Sequence, residues 1–146
     1  MLRRLTSTSA SWAPVPLRLV LGTFFAAHGL QKVIGSFGGP GLKAFTSFPA
    51  PFSFMRPAWL WMGAAAFGEL IGGALVLLGL LTRFGAFLIT CVMVTAIIGV
   101  LWPKFFAPEG IELASAFLAM ALALLITGGG QLSIDRMLGR RQSRKW

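Results

Sequence analysis

The apolar run 67–83 constrains this chain more than any other stretch, because it is long enough to enter a bilayer yet carries a carboxylate, Glu69. On a helix, with about 100° between residues, Glu69, Gly72, Gly73, Val76, Leu80 and Arg83 fall on one side. A carboxylate at membrane depth costs at least roughly 2.5 kcal/mol on insertion scales, so it must face protein or trapped water. Gly68, Gly72 and Gly73 remove side-chain bulk beside it, and the Gly68-x-x-x-Gly72 spacing lets a second helix come close. The run predicts a packed helix face with one expensive polar group built in.

Composition supports a membrane setting. The 146 residues are 56% hydrophobic and only 12% charged, whereas a soluble domain carries about 25% charged residues. The net charge of +9 does not indicate nucleic acid, because the basic residues are scattered among apolar runs and five of them fall within 136–146. The single cysteine, Cys91, excludes an internal disulfide and any thiolate cluster. One histidine and four acids leave little from which to build a metal site. No intrinsic cofactor is expected, so redox chemistry needs an outside carrier or a partner subunit.

Four spans are predicted, at about 17–34, 58–81, 84–102 and 111–127. The first carries Arg18, Gly22, Phe25, Gly29 and Lys32 on one face, with His28 beside it. On this reading Arg18 and Lys32 snorkel to opposite surfaces, while His28 lies too deep to reach either. The start of the chain is basic, Ser/Thr-rich and free of acids. It reads as a retained cytoplasmic segment, with a transit or signal peptide as the alternative. Glycine and proline punctuate 35–57 too densely for a continuous helix, and its phenylalanines suit a loop lying on the membrane interface or folded over the helix bundle. Thr82 and Arg83 mark a tight hairpin, and Pro103 to Gly110 a second loop. With four spans, nine basic residues fall on the side of the termini and four on the other, which puts both termini in the cytoplasm.

The deep polar groups are the candidate site. From the helical rise, His28 and Glu69 both lie roughly 16–18 Å from the cytoplasmic ends of their helices. Lys32 and Glu112 both come to roughly 22–24 Å. Two pairs, His28–Glu69 and Lys32–Glu112, are therefore expected at two levels, since pairing makes buried charge tolerable. They serve either as interhelical clamps or as a polar pocket for a small polar or quinone-like head group. A proton path is the weaker option, because only Arg18 and Arg83 lie between Glu69 and the cytoplasmic rim. Gly22, Gly29, Gly68, Gly72 and Gly73 are the expected helix-packing residues.

Several short motifs, in this order, resemble the DoxX family of small four-helix bacterial membrane proteins. They are His28-Gly29-x-x-Lys32, Glu69-x-x-Gly72-Gly73, Gly79-Leu80-x-Thr82-Arg83, Phe105-Phe106-Ala107-Pro108-x-x-x-Glu112 and Gly128-Gly129-Gly130-x-x-Ser133-Ile134-Asp135. The chain departs from the pattern at Leu101, where relatives often carry histidine, and at Gly129, where they often carry proline. The first departure speaks against a two-histidine metal or haem site.

The resemblance implies an all-α, integral membrane four-helix bundle over 17–135, with a basic segment 1–16 and a basic tail 136–146. It also implies a bacterial inner-membrane protein acting as a membrane subunit in quinone-linked or thiol-stress redox metabolism. Any catalysis would belong to an oxidoreductase complex, with a soluble or membrane redox partner or a second copy of the chain, in the lipid bilayer. The alternative is a non-enzymatic membrane protein, either a small-molecule permease or a structural partner subunit.

Overall fold

A computed structural model describes residues 8–106 and 110–143, and these form helices, turns and loops with no strand among them. Residues 1–7 of the basic N-terminal segment, Ala107 to Glu109 of the second loop, and 144–146 of the tail lie outside the described residues. Helix α1 spans Pro14–Val33, starting three residues before the expected 17. Proline suits a first helical turn, whose N–H would lack an intrahelical partner anyway. A short 3₁₀ turn at Ser36–Gly38 and a one-and-a-half-turn helix α2, Gly41–Thr46, follow in the glycine- and proline-rich loop.

Helix α3 spans Ala58–Leu78 and α4 spans Thr82–Ala96. The hairpin between them is set by Gly79, whose φ of 67° is left-handed. Its N–H donates to the Val76 carbonyl at 3.1 Å and the Leu80 N–H to Leu75 at 3.0 Å, the paired bonds of a Schellman ending. Helix α3 therefore stops at 78, earlier than the expected 81. Helix α4 widens into a π-helical turn at Ile97–Leu101. Helix α5 spans Ile111–Thr127 and a short α6 spans Ile134–Ser143.

Helices α1 and α3 pack antiparallel at a distance that only glycine allows. A Cβ on Gly22 would sit 2.6 Å from the Leu77 backbone nitrogen, and one on Gly29 would collide with the Leu70 backbone. Gly73 of α3 lies in the same way against the Phe25–Ala26 backbone. Close approach of this kind gains van der Waals contact along the whole face, which is how apolar helices associate where lipid competes for side chains. Gly72 faces Gly85 of α4. Leu21, Phe25, Val76, Ile89, Phe117 and Leu124 fill the core between the helices, with Phe25 and Phe117 edge to face at 5.6 Å.

The outer surface carries many large apolar side chains. Leu19, Phe24, Ile71, Leu78, Phe87, Ile98 and Ile126 are all exposed. The stretches Ala58–Leu78 and Thr82–Leu101 are each long and apolar enough to cross a membrane, with a shorter apolar helix at Ile111–Thr127. Only 28% and 22% of those two stretches is buried, so neither is the shielded core helix of a water-soluble protein. Large exposed apolar surface of this extent requires a non-aqueous or protein partner.

Candidate functional site

Gly29 lying against Leu70 fixes the register of α1 on α3. Glu69 then stands level with residues 29–30 and just short of Lys32. Because helical side chains lean toward the N-terminus of their own helix, the Lys32 stem runs back to that level. Its ammonium donates to both carboxylate oxygens of Glu69, at 2.5 and 2.6 Å. The Glu69 side chain is only 4% exposed and that of Lys32 24%. The Lys32 ammonium also lies 5.1 Å from the Phe45 ring centroid, a favourable cation–π separation.

This pair closes one end of a cavity of about 840 Å³. Helices α3 and α4 form its walls, from Trp61 to Glu69 and from Leu88 to Val100, and the loop around Phe48 and Met55 covers it. Apart from the ion pair, its lining is largely apolar, with the Thr95 hydroxyl and Cys91 thiol on the α4 side. The π-helical turn shapes the far rim, where a Cβ on Gly99 would come within 2.6 Å of Pro51. A volume in the few-hundred to thousand Å³ range suits a drug-sized molecule.

The expected pairing of Glu69 with His28 is corrected to Lys32. His28 is exposed, because it sits most of a quarter-turn off the buried stripe of Arg18, Leu21, Gly22, Phe25 and Gly29. Equal depth did not make the two face each other. The Lys32–Glu112 pairing is corrected as well. Glu112 lies exposed in the first turn of α5, where its backbone N–H donates to the Phe105 carbonyl and a negative charge complements the helix dipole. Neither His28 nor Glu112 lines the cavity. Gly68 does line it, and a Cβ there would meet only Val92 at an ordinary 3.5 Å. Gly68 therefore borders space, unlike the tightly packed Gly22, Gly29, Gly72 and Gly73.

A second polar cluster, at the opposite end of the helices, was not legible from the sequence. Arg18, expected to snorkel outward, is 4% exposed. Its Nε donates to the Val76 carbonyl at 3.0 Å, Nη2 to Leu77 at 3.0 Å and Nη1 to Gly129 at 2.9 Å. One guanidinium thus satisfies carbonyls at the end of α3 and in the loop after α5, groups that helix ends leave open. Asp135, also buried, accepts from the Leu81 and Thr82 N–H groups at 2.8 and 2.9 Å and caps α4 from a distant segment. Arg83 donates to the Leu125 and Ile126 carbonyls at the end of α5, both at 2.8 Å. The signal available was the place of Arg18 on the small-residue stripe, which is a packed face and not a rim. This cluster ties distant segments together through its hydrogen bonds.

Among the described residues, no group of three or more His, Cys, Asp or Glu could hold a metal ion. The cavity thus offers binding through one ion pair, one hydroxyl, one thiol, the Trp61 indole and apolar walls.

A model of the DoxX family matches residues 13–102, which takes in α1 to α4 and both sides of the cavity. A protein of Bacillus subtilis (strain 168) described as "Putative oxidoreductase CatD" is 36% identical over 121 residues, covering 82% of this chain and 81% of that protein. No solved structure matches. The motifs that resembled this family, the all-helical apolar architecture and these two matches lead to one conclusion: this chain belongs to the DoxX family.

Proposed function

We propose that this protein is a multi-pass protein of the bacterial inner membrane, a four-helix bundle with both termini in the cytoplasm. It acts as a membrane subunit in quinone-linked or thiol-stress redox metabolism, and its working site is the cavity closed by Lys32 and Glu69. The observation that carries this reading is the cavity itself, an apolar slot of about 840 Å³ that ends on a partly buried charged pair. Such a slot suits an amphiphile, with the ring and tail against apolar walls and the polar head at the pair. The name of the Bacillus subtilis relative supports an oxidoreductase context. With no resident metal or cofactor expected, electrons would come through a partner protein and the bound carrier.

A variant retaining Trp61 as its sole tryptophan tests this reading, because Trp61 lines the cavity. A soluble quinone analogue should quench its fluorescence saturably, and Glu69→Gln should weaken that binding. Absence of saturable quenching in the parent protein would overturn the reading. A purely structural clamp between α1 and α3 is the second reading, favoured by the engagement of both Glu69 oxygens by Lys32. It predicts loss of stability in Glu69→Gln with no ligand bound by the parent.

A further inference from the structure

The ion pair does not present its two members equally. An ammonium has three N–H donors and no acceptor. Two of the Lys32 donors go to the two oxygens of Glu69, which leaves one. Lys32 keeps 24% of its side-chain surface open, whereas Glu69 keeps 4%. Both members line the cavity, and the pair presents more of the Lys32 side chain to a ligand than of Glu69. It is also neutral as a unit, so a charged head group would be opposed by one member unless the pair came apart.

The remaining polar groups do not reverse that asymmetry. The Thr95 hydroxyl both donates and accepts, so it serves a carbonyl and a hydroxyl alike. The Cys91 thiol is a weak partner of either kind. Phe45, Phe48, Trp61 and Met62 offer flat or adaptable apolar surface to a ring. Trp61 and Val100, at one end of the slot, and Cys91, midway along α4, are themselves exposed, so a lipid-dissolved molecule can reach the slot along its α4 side.

We propose that the cavity selects the oxidised form of its ligand: an uncharged, flat ring whose carbonyl accepts the free Lys32 N–H, in preference to the reduced form bearing hydroxyls. This rests on the reading of the cavity as a quinone-class site and adds the redox state that the site holds. A quinone carbonyl accepts from Lys32 with no rearrangement. A quinol hydroxyl must either turn its own hydrogen aside or compete with Lys32 for Glu69. The carbonyl is the better acceptor for this charged donor, and since the whole bond corresponds to about tenfold in affinity, the difference between the two forms is a fraction of that, roughly threefold or more.

The test uses the intact chain in detergent under anaerobic conditions, titrated calorimetrically with a decyl-substituted benzoquinone and then with the same molecule chemically reduced. The quinone should bind more tightly than the quinol, by roughly threefold or more. In the double variant Lys32→Met, Glu69→Leu, which strands no charge, the two forms should bind alike. Quinol binding as tight as quinone binding in the parent overturns the redox preference and leaves the quinone-class site standing. Failure of both forms to bind the parent overturns the preference together with the quinone-class site. Both of these results are measured on the parent chain, so neither depends on a variant that folds.

Discussion

Asp135 and Thr82, 53 residues apart, are joined twice through one oxygen: Oδ2 accepts the Thr82 backbone N–H at 2.9 Å and its hydroxyl at 2.8 Å. Both residues are buried. Asp135→Ala would leave two backbone donors and a hydroxyl unsatisfied, and would remove the carboxylate whose charge acts on Arg18. Loss of about 3–5 kcal/mol is expected. Thr82→Val removes only the hydroxyl bond and should cost about 1–2 kcal/mol. Thermal unfolding in detergent checks the order; equal losses would show that the backbone cap contributes little.

The polar pair at the other end yields a sharper contrast. Lys32→Met should strand the Glu69 carboxylate and cost about 3–5 kcal/mol. The further change Glu69→Leu should recover part of that loss, so the two effects will not add. His28→Leu, at an exposed position, should stay within about 0.5 kcal/mol. Strong coupling of His28 to Glu69 in the same cycle would refute the assignment of Lys32 as partner.

Glycine substitutions separate contact from cavity. Gly22→Ala must push α1 off the Leu77 backbone, an overpacking expected to cost at least about 1–3 kcal/mol. Gly68→Ala meets only Val92 at 3.5 Å and loses glycine's helix penalty of about 1 kcal/mol, so it should be neutral or stabilising. If both variants unfold at the same temperature, the close α1–α3 approach is wrong.

Membrane orientation is accessible to thiol labelling in a Cys91→Ser background. A cysteine replacing Ser47, in the loop after α2, should react with an impermeant reagent in intact cells. One replacing Gly139, where a Cβ has open space, should react only after the cells are opened. The reverse pattern would place the termini outside.

Much of the local structure was legible because helical periodicity belongs to a single stretch of chain. The 100° step put Arg18, Gly22, Phe25 and Gly29 on one face, and all four are buried. It grouped Glu69, Gly72, Gly73 and Val76, which are likewise buried, but also Leu80 and Arg83, which leave that face because α3 ends at Leu78 and Arg83 belongs to α4. The cost of a carboxylate among apolar residues required Glu69 to have a protein or water partner, whatever the fold. Apolar composition and the ordered short motifs pointed to the family.

The choice of partner is a property of two helices, and no periodicity within one of them contains it. Depth arithmetic put His28 level with Glu69, but level groups meet only if both helices are rotated to face each other. Gly22, Gly29 and Gly73 fix that rotation by bringing the backbones together, which turns His28 outward and lets the long Lys32 stem lean back to Glu69. The burial of Arg18 depended on carbonyls 58 to 111 residues away, at Val76 and Gly129. The cavity arose from the α3–α4 gap, the covering loop and the π-helical turn together. Sequence determined which faces had to be buried and which charges needed partners; tertiary structure decided the pairs and the empty space, because both depend on the rotation and register of one helix against another.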